Sequence, residues 1–308
     1  MRVAAVDIGT NSTRLLVADV EHGRVSELAR ETRITRLGEG VDARRRLLPV
    51  PIARVRNVLT DFRRTAESLG AERTLAVATS AVRDAENGEA FLGEIEWSYG
   101  FTTRLLSGDE EALLTLRGVS SAGPLAPGTL IVDLGGGSTE LITSDVHTSL
   151  DIGSVRLTER FLVSDPPTPD ELEACAEAVR SVLPALDVGA AIGVAGTMTT
   201  VAALDLGLVE YDPERVHGHR VTAQAVTRQL ERLAALPVDE RRRVPGLEPE
   251  RAPVIVAGLV LVRELLERFG LDGIEISERD LLDGIALEAA ALPEPAEGDA
   301  PPGAYTCC

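Results

Sequence analysis

The sequence predicts an α/β protein of two duplicated domains, each contributing a glycine-rich turn to an interdomain cleft. Two segments carry this prediction: VDIGTNSTRLLVADV at 6–20 and VDLGGGSTELITSDV at 132–146. Eight of their fifteen aligned positions are identical, and both begin with an Asp-x-Gly turn. A stretch rich in glycine, proline and serine at 120–128 separates the halves, and strands alternate with helices on both sides of it.

The domain boundaries follow from that separating stretch. A chain of 308 residues is long enough for two domains of ordinary size. We predict an N-terminal domain at 1–122, a C-terminal domain at 123–277 and a disordered tail at 293–308.

Hydrophobic patterns place the elements of the first half. The segment 52–69 carries apolar residues at helical spacing and is followed by a glycine, which predicts a helix. Short apolar runs predict buried strands. In chain order, the predicted elements are strands at 3–8, 14–20 and 23–38, the helix at 52–69, strands at 74–79 and 101–108, and a helix at 109–119.

In the second half the pattern starts again with a strand, a glycine turn and a strand over 129–146. Thr168 and Glu171 have capping-box spacing, and Pro169 between them suits the first helical position, so a helix begins there. The remaining predicted elements are a strand at 190–196, helices at 197–206 and 249–270, a strand at 273–277 and a helix at 278–292.

Composition excludes several classes of protein. The net charge of −18 argues against a general nucleic-acid binder, which needs a basic face. No apolar run is long enough to cross a membrane and no signal peptide is recognisable, so we expect a cytoplasmic protein without a membrane partner. The chain contains no lysine, so an anionic ligand must be held by backbone amides, hydroxyls, arginine or a metal ion.

Both glycine turns are candidate phosphate sites. Glycine lets main-chain amides approach an anion closely, and hydroxyl and amide side chains add further donors. Ordinary hairpin turns would explain either turn alone, but two at corresponding places favour a shared ligand. The candidate phosphate-binding residues are Gly9, Thr10, Asn11 and Ser12 in the first turn, and Gly135, Gly136, Gly137, Ser138 and Thr139 in the second.

Three carboxylates beside these turns are candidate Mg²⁺ ligands. Asp7 and Asp133 occupy the same position in the two turns. Mg²⁺ is held by one or two carboxylates together with water and substrate oxygens. Glu140 replaces Arg14 of the first segment and shares a strand face with Ser138, so it can join Asp133 at the metal. A solvated side chain or an arginine partner is the alternative for Glu140.

Candidate catalytic residues lie in two further segments. Ser107 and Glu110 of SGDEEA form a capping box, which explains Glu110 but not the neighbouring Glu111. Glu111 could act as a general base on water, or could simply complement the helix dipole. Arg83 follows a strand-to-helix turn and could stabilise a transferred phosphoryl group, unless it is a salt-bridged helix residue.

Histidine positions and arginine runs carry weaker signals. His217 and His219 fit loop chemistry better than a metal site. The arginine runs at 44–46 and 241–243 are solvated faces or guides for a polyanion.

The segments AAVDIGTNSTRLLVADV, ATSAVRDAEN, SGDEEA, VDLGGGSTEL and GVAGTMTTVAAL together resemble the exopolyphosphatase/guanosine pentaphosphate phosphohydrolase (Ppx/GppA) family. The resemblance implies two actin-like (ribonuclease H-like) domains, with the helix at 278–292 returning to the N-terminal domain. It implies that Glu111 is the catalytic base, that Arg83 serves the site, and that the two turns with Asp7, Asp133 and Glu140 hold phosphate and Mg²⁺. The sequence resembles the short form, without the helical extension of longer members.

The activity that the resemblance implies is Mg²⁺-dependent release of terminal phosphate from polyphosphate. The resemblance also implies that the protein can form a homodimer. Hydrolysis of pppGpp to ppGpp is the first alternative, because the terminal phosphates are alike. A kinase of the same superfold and an actin-like filament or switch protein are more distant alternatives.

Overall fold

The computed structural model describes residues 1–121 and 123–293. The chain forms two compact units, one from Met1 to Pro124 together with the segment that begins at Leu281, and one from Leu125 to Asp280. Of the predicted tail, only residue 293 is described, and the remainder of that prediction lies outside the described residues. None of the described helices combines the length and the apolar character that crossing a membrane needs.

The N-terminal unit is built on a five-stranded mixed sheet. Its strand order is β3-β2-β1-β4-β5, with β1 antiparallel to β2 and parallel to β4. Between Met1 and Pro124, the elements of this unit are β1 Arg2–Ile8, β2 Ser12–Glu21, β3 Arg24–Ile34, α1 Val41–Arg44, α2 Pro49–Ser68, β4 Arg73–Ala78, α3 Ser80–Arg83, α4 Gly88–Tyr99, β5 Thr102–Leu105 and α5 Gly108–Ser120.

The C-terminal unit contains a six-stranded sheet with the order β10-β11-β9-β6-β7-β8. Its elements are β6 Thr129–Leu134, β7 Thr139–Ile142, β8 His147–Leu150, α6 Ser154–Phe161, α7 Pro169–Val182, β9 Ala190–Val194, α8 Ala195–Leu206, α9 Pro213–Val216, β10 Arg220–Thr222, α10 Ala223–Ala234, α11 Val238–Arg241, a 3₁₀ turn Pro249–Arg251, α12 Ile255–Arg268 and β11 Gly273–Ile276. The last helix, α13 Leu281–Ala291, belongs to the N-terminal unit.

The two sheets share one topology. Read from the edge, β3-β2-β1-β4-β5 corresponds to β8-β7-β6-β9-β11, and β10 is an addition at the far edge. The pairing directions also correspond, because β6 is antiparallel to β7 and parallel to β9, as β1 is to β2 and β4. This correspondence is what an internal duplication predicts.

Alternation along β1 explains how the N-terminal sheet is covered on both faces. Ala4, Val6 and Ile8 join one apolar cluster, whereas Val3 and Ala5 join a second. The first cluster includes the helical stripe of α2, which contributes residues such as Phe62. The second includes the buried face of α13. Burial on both faces fixes the carboxyl end of β1, where the first glycine turn begins.

Close packing of α13 on α5 depends on a glycine. A Cβ atom on Gly284 would lie 2.0 Å from the carbonyl oxygen of Leu114, so the two backbones touch at this point. An ion-pair network adds to the contact, since Glu288 of α13 binds both Arg104 and Arg117 at 2.8 Å. These contacts tie α13 to the helix that carries Glu111.

The sequence-based expectations hold for two helix starts and fail for one long helix. Capping boxes are present at Ser107 and at Thr168, as predicted. The single helix predicted over 249–270 is wrong, because a 3₁₀ turn occupies Pro249–Arg251 and α12 begins only at Ile255. Pro253 explains the break, since it lacks the amide proton and disfavours helical geometry in the residue before it.

Candidate active site

Each sheet carries a glycine turn at the end of its first strand, and the two turns have the same hydrogen bond. The amide of Gly9 donates to the carbonyl of Ser12 at 2.9 Å, and the amide of Gly135 donates to the carbonyl of Ser138 at 3.0 Å. A Cβ atom on either glycine would lie 3.0 Å from that carbonyl oxygen. The tight turn therefore favours glycine at both places.

A cross-strand pair at the base of each turn distinguishes the two units. Asp7 is the register partner of Arg14, and Asp133 is the register partner of Glu140. Directly opposed residues of antiparallel strands project from the same face of the sheet. The Arg14 guanidinium lies 2.8 Å from Asp7 Oδ2, so the first pair is charge-balanced.

The second pair places two carboxylates together in a buried position. Asp133 is 5% exposed and Glu140 is 1% exposed. The hydroxyl of Ser149 donates to Glu140 Oε1 at 2.7 Å and orients that carboxylate. Like charges directly opposed across strands are unfavourable, and a bound cation stabilises them. This donor set fits Mg²⁺, which needs only one or two carboxylates from the protein.

The same pair does not form a larger ligand cluster. Within residues 1–121 and 123–293, no group of three or more histidine, cysteine, aspartate or glutamate side chains is arranged to hold a metal ion. The arrangement suits an ion whose remaining ligands are water and substrate.

Residues at the start of α6 form hydrogen bonds with the second glycine turn. The carbonyl of Gly136 accepts bonds from the amides of Val155 at 2.9 Å and Arg156 at 3.1 Å. Arg156 Nε also donates to the carbonyl of Gly137 at 2.8 Å, and this arginine is only 8% exposed. A Cβ atom on Gly153 would lie 2.5 Å from the Gly136 carbonyl, so the two backbones are in contact.

The first glycine turn is supported in a corresponding way by the segment after β3. Gly38 donates its amide to the carbonyl of Thr10 at 2.8 Å, and the amides of Thr35 and Arg36 both donate to the carbonyl of Asn11. A Cβ atom on Gly38 would lie 2.2 Å from the Thr10 methyl group. In both units, therefore, the carbonyls of the turn bind the segment that follows the third strand.

The β4–α3 turn lies against the first glycine turn. The hydroxyls of Thr10 and Ser80 are 2.8 Å apart, and Thr79 and Ser80 are buried. Arg83 ends α3. Thr10, one of the predicted hydroxyl donors, is therefore hydrogen-bonded to the turn that leads into α3.

Glu111 and Arg83 meet in the N-terminal unit. Arg83 Nη1 lies 3.5 Å from Glu111 Oε2 and donates to the carbonyl of Leu106 at 2.8 Å. Glu111 is 7% exposed. The adjacent Glu110 closes the capping box with Ser107. The two neighbouring glutamates thus have different environments, one at the helix cap and one buried beside an arginine.

Known proteins with similar sequences identify the family of this chain. The model of the Ppx/GppA phosphatase family matches residues 16–292. Exopolyphosphatase 2 of Mycobacterium tuberculosis is 42% identical over 94% of this chain and 98% of that protein. The chain belongs to the Ppx/GppA phosphatase family.

Two further relatives show the range of the Ppx/GppA family. The crystal structure of the Aquifex aeolicus family member matches with a TM-score of 0.78 and 32% identity, over 94% of this chain and 98% of that chain. The guanosine-5'-triphosphate,3'-diphosphate pyrophosphatase of Vibrio vulnificus is 30% identical over 92% of this chain and 58% of that protein. The family match and the named relatives support a phosphoanhydride hydrolase.

Most residues predicted by the Ppx/GppA resemblance fall into two groups, one in each unit. Thr10, Arg83 and Glu111 lie in the N-terminal unit, and Asp133 and Glu140 lie in the C-terminal unit. Thr139 differs from the other candidates, because its hydroxyl donates to the carbonyl of Ile152 at 2.7 Å. Thr13, at the corresponding place, bonds the hydroxyl of Thr35 at 2.9 Å, so both threonines anchor the turn to its support.

Arg156 and Gly153 were missed by the sequence reasoning. Their segment, GSVR at 153–156, follows the third strand of its sheet, as TRLG at 35–38 does in the first unit. The two segments share no aligned residue, so they correspond only through their place in the fold. In the C-terminal unit, His219 binds Asp205 at 2.9 Å and His217 accepts a bond from the Glu278 amide.

Proposed function

We propose that this protein is an exopolyphosphatase that releases orthophosphate from the end of inorganic polyphosphate. The observation that carries the proposal is the buried, directly opposed pair Asp133 and Glu140 at the base of a glycine turn. The 42% identical relative named exopolyphosphatase supports the choice of substrate.

The two glycine turns are proposed to bind the terminal phosphates. The carbonyls of Gly136 and Gly137 are engaged by α6, which supports a role for the amides of this turn in anion binding. Ser138 and, in the first turn, Thr10, Asn11 and Ser12 would add side-chain donors. That both turns act on one substrate molecule stays a prediction from the sequence.

Asp133 and Glu140 would hold Mg²⁺, with Asp7 as a weaker candidate because Arg14 already balances its charge. When bound, Mg²⁺ offsets the negative charge of phosphate oxygens and orients them. The Ser149 hydroxyl keeps the Glu140 carboxylate in place for this role.

Glu111 is proposed to act as the general base. Its carboxylate would take a proton from a water molecule, whose oxygen attacks the terminal phosphorus while the bridging P–O bond breaks. The shortened chain leaves with the electrons of that bond. Arg83, which lies beside Glu111, would orient the carboxylate and offset charge on the transferred phosphoryl group.

Phosphate release by the purified protein with Mg²⁺ tests the proposal on long-chain polyphosphate, pppGpp and ATP in parallel. The variant Glu111→Gln should lose most of the turnover, by about 100-fold or more. Glu110→Gln is the matched control, because glutamine also serves a capping box. Near-normal turnover of Glu111→Gln, or equal loss in both variants, would contradict the role of Glu111.

Hydrolysis of pppGpp is the second candidate, favoured by the 30% identical relative from Vibrio vulnificus that is named for this substrate class. The same residues would act on its terminal phosphate. Higher kcat/KM on pppGpp than on polyphosphate would make this the principal activity. A cytoplasmic location and a homodimer remain predictions.

A further inference from the structure

Three consecutive arginines, Arg44, Arg45 and Arg46, are exposed in the N-terminal unit, where α1 ends. This arginine run contrasts with the net charge of −18. Within the described part of the chain, Arg44 and Arg46 pair with no carboxylate, and Arg45 approaches Asp84 only to 3.9 Å. The run therefore presents cationic groups to an anionic ligand.

The backbone of the arginine run is held in place by the α3–α4 connection. The amide of Glu86 donates to the carbonyl of Arg45 at 2.8 Å. The Asn87 side chain binds both polar groups of the Leu47 backbone. Its Oδ1 accepts from the Leu47 amide at 2.8 Å, and its Nδ2 donates to the Leu47 carbonyl at 3.1 Å. Arg45 itself adopts a left-handed conformation with φ of 53°, which is uncommon for a residue with a side chain. The three arginines thus project from a defined turn.

The segments on either side of the arginine run lead to the candidate phosphate site of the same unit. The segment that leads into it begins at Gly38, which binds the Thr10 carbonyl. The Arg44 side chain lies over Gly40, with Cδ 3.8 Å from the place a Cβ atom would take. Arg45 is directed toward Asp84, the residue that follows Arg83. The run is therefore linked through the preceding segment to the turn of Thr10, and through Asp84 to the helix of Arg83.

We propose that the arginine run is a subsite for the part of a polyphosphate chain beyond its terminal phosphates. This inference rests on the proposed function. Polyphosphate carries negative charge along its whole length, and guanidinium groups bind phosphate oxygens in a fixed fork. A nucleotide offers only a few phosphates, so it gains less from a distal subsite. The flanking sequence VDARRRLLP holds no aromatic residue on which nucleic-acid bases could stack.

The test compares a variant of the arginine run with a matched variant elsewhere. Arg44→Ser, Arg45→Asn and Arg46→Ser are combined, because asparagine tolerates the left-handed turn. The control combines Arg242→Ser and Arg243→Ser, which removes two exposed arginines from the C-terminal unit. KM and kcat are measured on long-chain polyphosphate and on tripolyphosphate over a range of salt concentrations.

For the run variant, we expect KM for long-chain polyphosphate to rise about tenfold, with a slope of log KM against log salt that is smaller by about two. KM for tripolyphosphate should change by less than about twofold, because that substrate does not reach the subsite. The control should match the wild type on both substrates. An equal change on the two substrates, or an equal change in the control, would overturn the inference.

Binding separates this inference from the proposed function. If the wild type hydrolyses neither substrate, the proposed function fails. Fluorescence anisotropy with labelled long-chain polyphosphate still tests whether the arginine run binds the chain. Weaker binding in the run variant alone supports the subsite, whereas unchanged binding overturns it. Equal loss of binding to a single-stranded oligonucleotide also overturns it, because the run would then be a general polyanion surface. Should the triple variant fail to fold, Arg44→Ser and Arg46→Ser are measured singly.

Discussion

Asp133 and Glu140 oppose each other directly across β6 and β7, buried on one face of the C-terminal sheet. At the corresponding place in the N-terminal sheet, Asp7 is opposed by Arg14 and forms an ion pair with it at 2.8 Å. One cross-strand position therefore separates a charge-balanced turn from a doubly acidic one. This difference supports the proposal that one turn binds phosphate alone and the other binds phosphate with a cation.

Removing one charge from the acidic pair should weaken metal use. Glu140→Gln keeps the side-chain shape but weakens Mg²⁺ binding, so activity should fall about 100-fold and the Mg²⁺ requirement should rise. Phosphate release across a Mg²⁺ titration measures both effects.

Asp7→Asn is the matched comparison for Glu140→Gln. It removes the carboxylate charge of the ion pair with Arg14, so it should lower the melting temperature whether or not Mg²⁺ is present. A Mg²⁺ requirement that rises in Asp7→Asn and stays normal in Glu140→Gln would reverse our assignment of the metal ligands.

Arg156 should support catalysis without touching substrate. Arg156→Ala removes the bond to the Gly137 carbonyl and should cost about 1–3 kcal/mol in the free energy of unfolding and raise KM about tenfold. Arg156→Lys should not restore KM, because lysine lacks the planar Nε donor. Arg268→Ala, which removes a similar bond to the Pro184 carbonyl, should leave KM unchanged. Normal KM in Arg156→Ala would refute the supporting role.

Gly153→Ala tests the backbone contact beneath the second glycine turn. The backbone of Gly153 is extended, with φ of −160°, so alanine meets no conformational penalty there. Its methyl group would instead collide with Gly136, which should destabilise the protein by about 1–3 kcal/mol and reduce phosphate release. Gly189→Ala, where nothing lies within 4 Å, is the control. Equal melting temperatures and activities would contradict this packing.

Glu110 should make a pH-dependent contribution to stability. Hydrogen bonds from the Ser107 backbone, then from its side chain and from Arg104, hold the pKa of Glu110 below its ordinary value. A lowered pKa stabilises the fold above the ordinary glutamate range, and that stability is lost as the pH falls through the lowered pKa. Wild type should therefore exceed Glu110→Gln in melting temperature at neutral pH, with the difference closing in acid. A difference independent of pH would exclude this linkage.

Local patterns were enough to predict much of the architecture. Helix starts at Ser107 and Thr168 were predictable because a capping box depends on residues three positions apart. The identity between 6–20 and 132–146 predicted the matching sheets, because similar segments form similar strand–turn–strand units. Reading helical periodicity across Pro253 produced the wrong long helix, because the apolar pattern there was given more weight than the missing amide.

By itself, the sequence determined the two glycine turns, the acidic character of position 140 and the family to which the chain belongs. Only the tertiary structure decided which residues act on those turns. The contact of Arg156 with Gly137, of Gly38 with Thr10 and of Arg83 with Glu111 each joins residues 19 to 28 positions apart. No local periodicity encodes such contacts, since they arise when strand register and helix packing bring distant segments together.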